Sequence, residues 1–394
     1  MSENFKFKVA LIHNIVSPYR IPVFEGLSNH PLIDLTVFYC AKTHKIRKWE
    51  IVESDKYRYR FLSGITIEFF DFIYHINCDI IPIILKKKFD IVIIGGGSDF
   101  TTQIAFLLSK LVGTPIVLWS EGIEDPKGRI GKMASPIFHY IINHSNAIIV
   151  PGTISKEYNI RVGATKNKIF IAPNIVNNDY FITQSAYFTQ EKERIKKEMK
   201  IEGKKVIIFV GRLVRMKGVD HLIRAFDNLT KSTENIALFI VGEGPIRSEL
   251  QILSKTSKNQ NVYFVGWMDI NEIVKYYSIA DIFVLPTLND VWGLVVNEAM
   301  CCGLPIITTM AAGCSVDMVF NGENGYIVKT GDSNELADAI KKVIENPTEC
   351  DRMGKRSLDI IKTKFNQEIC VNGFVSAIKY SINSSAAYEN KKLV

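Results

Sequence analysis

Apolar residues in this chain gather into short runs, separated by longer stretches in which they recur every three or four positions. The first pattern is that of strands buried on both faces, and the second that of amphipathic helices. In the first half the runs lie at 8–15, 34–40, 89–94, 115–119, 147–150 and 169–172. In the second half they lie at 205–210, 237–241, 262–265, 282–285, 305–308 and 325–328. Strands alternating with helices predict an α/β chain with parallel sheets, and each half has enough strands for a doubly wound sheet of its own. Between the halves, polar NIVNND, an aromatic patch and the charged EKERIKKEMKIEGKK predict a connector followed by a surface helix, with a boundary near residues 175–200.

At 394 residues the chain exceeds what one hydrophobic core supports. We therefore expect domains at 1–178 and 200–366, with 367–394 forming a C-terminal helix and tail. Hydrophobic residues make up 47% of the chain, ample for two cores. No apolar run approaches the length of a membrane span, and MSENFKFKVALIHN leads into a strand rather than a signal peptide, which predicts a cytoplasmic protein. Seven cysteines without Cys-x-x-Cys spacing read as reduced thiols in or near the cores, with neither a zinc site nor a catalytic thiol indicated.

The stretch 286–308, PTLNDVWGLVVNEAMCCGLPIITT, carries the most chemistry. A strand runs into a loop holding Asp290 and Gly293, and then into a helix holding Glu298 that stops at Gly303. In a parallel sheet, ligands collect at the carboxyl ends of strands, where the first N–H groups of the next helix favour phosphate. Trp292, Gly293 and Leu294 are placed to supply such N–H groups. Two carboxylates facing a phosphate would repel it, so Asp290 and Glu298 suit hydroxyls on either side: a sugar for one, a ribose for the other. On spacing alone, a solvated loop acid and a helix-surface glutamate are the favoured reading. Upstream, KKVIIFVGRLVRMKGVDHLIRAF sets Arg212 and Lys217 around another strand end, where a guanidinium and an ammonium can neutralise a diphosphate. It is not a Walker loop, and a solvated basic turn is the plain alternative.

These segments resemble glycosyltransferase family four, whose signature is an acid, seven residues, Glu-Ala-Met and a Gly-x-Pro turn. The resemblance implies that Glu298 holds the ribose of a nucleotide and Asp290, where the family usually has Glu, contacts the donor sugar. Gly211, Arg212, Lys217 and Gly218 match the family's pyrophosphate clamp, and Glu243 and Gly266 fall in segments that line its nucleotide pocket. HNIVSPYRIPVFEGLS resembles the opening of bacterial members that build cell-surface polysaccharides. Tyr19 and Arg20 are then expected to meet the acceptor, as is Glu121, which stands where many members carry a histidine.

The resemblance further implies the GT-B fold: two Rossmann-like doubly wound domains facing an interdomain cleft, with the C-terminal helix crossing back to the first. It implies a retaining, metal-independent transfer from a UDP- or GDP-sugar, a co-substrate rather than a cofactor, to a glycan or lipid-linked acceptor. The chain has no Asp-x-Asp, which agrees with a diphosphate held by Arg212 and Lys217. A nucleotide-sugar epimerase of the same architecture and a non-catalytic nucleotide-sugar-binding scaffold at the membrane are the alternatives.

Charge adds a second partner. Of the net +7, residues 1–178 hold +6, from 21 Lys and Arg against 15 Asp and Glu. Basic and aromatic residues interleave at 44–49 and 56–61, with three lysines at 86–88. Such a surface suits anionic lipid, at roughly 1 kcal/mol per basic residue. A solvated basic face is the alternative, and no motif points to nucleic acid.

Overall fold

The structure, a computed structural model, describes residues 6–44, 54–69, 72–125, 128–256 and 261–392. It divides into two compact units, Met1–Ile175 with Gln367–Val394, and Val176–Asn366. All twelve apolar runs are strands, with ends displaced by no more than two residues. The tract at 44–49 lies almost wholly outside the described residues.

The first unit contains β1 (Phe7–Ile15), β2 (Ile33–Ala41), β3 (Arg58–Phe61), β4 (Ile65–Phe69), β5 (Phe72–Ile76), β6 (Ile91–Gly95), β7 (Ile116–Trp119), β8 (Ala147–Val150) and β9 (Ile169–Ile171). Seven of them form a parallel sheet in the order β3-β2-β1-β6-β7-β8-β9, while β4 and β5 form an antiparallel hairpin. The chain starts at β1, builds outward through β2, and returns to the other side of β1 with β6. The gap between β1 and β6 is therefore the topological switch point. Val9 to Ile12 at the centre are fully buried, as a strand covered on both faces requires. β3 was not expected, because an edge strand with one wet face alternates (Arg58 exposed, Tyr59 half-buried, Arg60 exposed) and leaves no apolar run.

The C-terminal helix Gln367–Lys392 completes this core rather than standing apart from it. Its stripe Cys370, Val371, Phe374, Val375 and Ile378 packs with Leu11, Ile93, Val117 and Trp119. The Phe374 ring meets Trp119 edge-on at 4.9 Å.

The second unit contains β10 (Lys205–Val210), β11 (Ile236–Val241), β12 (Val262–Gly266), β13 (Ile282–Leu285), β14 (Ile306–Thr309) and β15 (Gly325–Val328), in the order β12-β11-β10-β13-β14-β15. Its switch point lies between β10 and β13. Residues 178–198, read from the sequence as a connector and a surface helix, are instead the helices Asn178–Gln190 and Lys192–Glu198 of this unit. Phe181 and Ile195 are buried, and Lys192 and Lys196 reach Asp281 at 3.0 and 3.4 Å. Asp281 also accepts from Val206 N at 2.8 Å, so these charges fix the start of β10. Charge density marked the segment as surface, which holds for Arg194 and Lys197, whereas Lys192 and Lys196 are spent on a largely buried carboxylate.

Among the described residues no helix is long and apolar enough to cross a membrane. Removing the Phe374 ring leaves a cavity against Trp119, so Phe374→Ala is expected to destabilise the first unit by about 3–5 kcal/mol. Hydrogen exchange in urea should show protection lost in β1, β7 and β8 and kept in β10 and β11; equal loss in both would contradict a core confined to the first unit.

Candidate functional site

In the second unit the loops leaving β10 and β13 meet at the switch point. After Val210 the chain makes a short turn at Arg215–Lys217 and enters the helix Val219–Leu229. Gly218 ends that turn with φ of +64°, and a Cβ there would lie 2.1 Å from the Pro286 carbonyl oxygen. Only glycine permits both the conformation and the approach. Leu288 N and the Thr287 hydroxyl then donate to the Met216 carbonyl at 2.7 and 2.9 Å, binding the second loop to the first.

The loop after β14 supports the other side. Asp290 N donates to Ala311 O at 3.0 Å, Gly313 N to Asp290 O at 2.8 Å, and Cys314 N to Trp292 O at 3.0 Å. With the backbone held on both sides, the Asp290 and Lys217 side chains form a close ion pair, only 12% and 22% exposed. Arg212, in the same loop, is exposed and has no side-chain partner among the described residues.

Gly293, at φ of +96°, precedes the helix Leu294–Cys301. The first N–H groups of a helix have no intrahelical acceptor, so Gly293 and Leu294 present theirs where the sequence predicts a phosphate. Trp292 does not join them: its N–H points at Asp290 Oδ1, 3.3 Å away, and its buried indole donates to Asn297 Oδ1 at 3.0 Å. Glu298 is only 2% exposed, and its Oε2 accepts from the Tyr277 hydroxyl at 2.7 Å. It therefore fastens the helix Ile270–Ile279 to its own as well as standing eight positions after Asp290.

Glu243 and Gly266 come together at the ends of β11 and β12. Arg247 pairs with Glu243 and also donates to Phe264 O at 3.4 Å. A Cβ on Gly266 would be 3.4 Å from Glu243 Oε1. Leu213 N donates to Glu243 O at 2.9 Å, which ties this corner to the Arg212 loop. Gly211, Arg212, Lys217, Glu243, Gly266, Asp290, Gly293 and Leu294 thus occupy neighbouring loops at one end of one sheet. Sequence reasoning missed Thr287 and Tyr277, which orient Lys217 and Glu298; neither sits in a charged or glycine-bearing pattern. Arg247 was legible as an i,i+4 partner of Glu243.

The first unit holds a second cluster at the ends of β1 and β7. Arg20 ends the turn Pro18–Arg20, lies 4.5 Å above the Trp119 ring, and donates to Glu121 at 2.6 Å and to Asn174 Oδ1 at 2.7 Å. Asn174 Nδ2 donates to the same Glu121 oxygen at 2.8 Å. Burial alone would raise the Glu121 pKa, but Arg20 and Asn174 outweigh it and hold the carboxyl below its ordinary range. Arg20 and Glu121, expected separately at an acceptor, are thus partners of each other. Tyr19 lies in the same turn, half-buried. His13 Nδ1 is 3.1 Å from Ile15 O, which can only accept, so the neutral ring carries its proton there. Burial, then Arg20, lowers the His13 pKa to about 4.

Residues 190–359, inside the second unit, match the family described as Glycosyl transferases group 1. Over 382 residues the chain is 26% identical to an uncharacterized glycosyltransferase of Methanocaldococcus jannaschii, covering 94% of this chain and 86% of that protein. It is 30% identical over 164 residues to the capsular polysaccharide biosynthesis glycosyltransferase CapM of Staphylococcus aureus, 42% of this chain and 43% of that one. The crystal structure of Anabaena Alr3699/HepE in complex with UDP aligns at a TM-score of 0.76 and 16% identity, covering 94% of this chain and 99% of that one, a likeness of fold.

The His13 shift has a sign that can be tested. Unfolded, the imidazole takes a proton near pH 6.5, whereas the folded group refuses it until about pH 4. Between those values the unfolded state binds more protons, so stability falls as pH falls. Thermal unfolding followed across that window should show a shallower decline for His13→Asn than for the parent chain; equal slopes would remove His13 from the linkage.

Proposed function

We propose that the chain, which has the GT-B fold and whose residues 190–359 match the glycosyl transferases group 1, moves a sugar from a UDP- or GDP-sugar to a glycan or lipid-linked acceptor, with retention at the anomeric carbon. The observation that carries this reading is the Lys217–Asp290 pair at the switch point of the second sheet, beside the unpartnered Arg212. In the proposed reaction the donor diphosphate lies against Arg212, Lys217 and the N–H groups of Gly293 and Leu294. Its charge grows as the sugar leaves, and fixed donors around the departing nucleotide stabilise that growth without a metal ion. Asp290, released from Lys217, accepts from hydroxyls of the donor sugar, and Glu298 accepts from the ribose. The gene product most useful for comparison is CapM, whose capsular role supports a place in cell-surface polysaccharide synthesis.

In the first unit, the ionised Glu121 has one oxygen taken by Arg20 and Asn174. Its other oxygen is suited to an acceptor hydroxyl, with Tyr19 alongside. Arg20 then acts by keeping Glu121 charged and oriented.

The test is a panel of UDP-, GDP-, ADP- and dTDP-sugars with chelator present, read by calorimetry and by transfer to lipid-linked oligosaccharide. Lys217→Ala is expected to lower turnover by about 10²–10³-fold, the usual cost of one transition-state donor. An unchanged rate would take Lys217 out of the mechanism. Product from donor alone would make the chain an epimerase, and binding without turnover would make it a scaffold.

Glu298 needs the milder substitution. Glu298→Ala leaves the Tyr277 hydroxyl without its partner in the core, at a cost of about 1–3 kcal/mol, so lost binding there would be ambiguous. Glu298→Gln keeps an acceptor for Tyr277, and is expected to weaken donor binding with little change in melting temperature. Full affinity in Glu298→Gln would argue against a charged contact to ribose.

A further inference from the structure

The basic tract 56–61, which the sequence offers to anionic lipid, is largely neutralised by the fold. Lys56 pairs with Glu25 at 3.3 Å, Arg58 pairs with Asp34, and Arg60 faces Asp79 at 3.8 Å. Tyr57 is buried with its hydroxyl 2.9 Å from that of Tyr39. Each of these exposed cations has a carboxylate within 4 Å, so the tract offers a membrane little net charge.

A different surface has the opposite character. The helix Phe100–Val112 leaves Leu107 55% and Leu111 77% exposed, one turn apart on the same face. The helix Gly128–His144 leaves Ile137 50% and Tyr140 52% exposed, again on one face. The Phe106 and Tyr140 rings lie 6.1 Å apart, so the two helices run side by side there. Neither helix contains an aspartate or glutamate, while their sequences carry Lys110, Arg129 and Lys132. Lys110 is exposed and faces no carboxylate among the described residues; its ammonium stands 5.9 Å from the Phe106 ring. Asp125, which touches the second helix, is engaged by His139 and Tyr158 at 2.8 Å each.

We propose that these paired helix faces rest on an anionic lipid bilayer, with Leu107, Leu111, Ile137 and Tyr140 entering the headgroup region and Lys110 beside the lipid phosphates. Large apolar side chains beside an exposed lysine, on helices that carry no acid of their own, match the chemistry of such an interface. The net positive charge of residues 1–178 agrees in sign with an anionic partner for this unit. The inference rests on the lipid-linked acceptor of the proposed function, to which it adds the surface that brings the first unit to the membrane.

The test is co-sedimentation of the full chain with phosphatidylglycerol-containing vesicles and with pure phosphatidylcholine vesicles. The parent protein should pellet with the anionic vesicles only. Leu111→Glu combined with Ile137→Glu is expected to lower the bound fraction at least about tenfold, whereas Arg58→Gln should stay within about twofold of the parent. No binding by the parent, parental binding by the double variant, or loss in Arg58→Gln would each overturn the assignment. So would a parent dimer in sedimentation velocity that the double variant abolishes, since the occupant would then be a second copy. UDP binding is measured on the same samples: vesicle binding without it would defeat the transferase reading and leave the surface standing.

Discussion

The carbonyl oxygen of Met216 holds the candidate site in shape. It accepts from Leu288 N and from the Thr287 hydroxyl, and thereby joins two loops that leave neighbouring strands of the second sheet. Lys217 and Asp290 are 73 residues apart in sequence and become adjacent through that joint. An ion pair between long side chains on free loops is worth little, because ordering them cancels most of the attraction. Here the backbone is ordered first, by hydrogen bonds that would form with any side chains at 217 and 290. The pair inherits its geometry instead of having to create it.

The first unit solves a similar problem with a different outcome. The Arg20 guanidinium is covered by Trp119 on one face and spent on Glu121 and Asn174 along its edge. Such an arginine has little left to offer a ligand. What it creates is a carboxylate that stays ionised in partly buried surroundings, and an ionised carboxylate can only accept hydrogen bonds. Whatever meets Glu121 must therefore donate, which favours hydroxyls and disfavours phosphate. The contrast with the exposed, unpartnered Arg212 of the second unit is chemical: one arginine serves a protein acid, the other is open to an external anion.

Much of this was legible before any coordinates. Strands buried on both faces leave continuous apolar runs, so Val9 to Ile12 and Ile207 to Phe209 announce themselves, and so does the alternation that makes two Rossmann-like units. Glycines and cations at strand ends marked Gly211, Lys217 and Gly293, because backbone approach and anion binding restrict residue choice. What stayed hidden depends on partners distant in sequence. Nothing in PYRIP tells that Arg20 will be consumed by Glu121, nor does the signature tell that the Trp292 N–H turns to Asp290 or that Tyr277 reaches Glu298. Charge-rich residues 191–198 misled for the same reason, since a cation looks solvated until its carboxylate, here Asp281, is seen. The edge strand β3 escaped because its alternation resembles a surface loop.

The pairing of Lys217 with Asp290 also bears on how an anion site can persist in the absence of its anion. A partly buried ammonium left alone is destabilising, and a lone carboxylate beside it equally so. Letting each satisfy the other removes that cost while keeping both on the loops that hold them. In the proposed reaction the donor diphosphate, which carries more negative charge than one carboxylate, draws the ammonium away. Lys217 thereby trades one anion for another, and Asp290 trades an ammonium for sugar hydroxyls. Binding then needs no rebuilding of the backbone, as its hydrogen bonds through Met216, Ala311 and Gly313 are independent of both side chains. An aspartate at 290 fits this better than a longer acid would, since a short side chain has fewer ways to leave the lysine before the ligand arrives and loses less freedom in pairing with it.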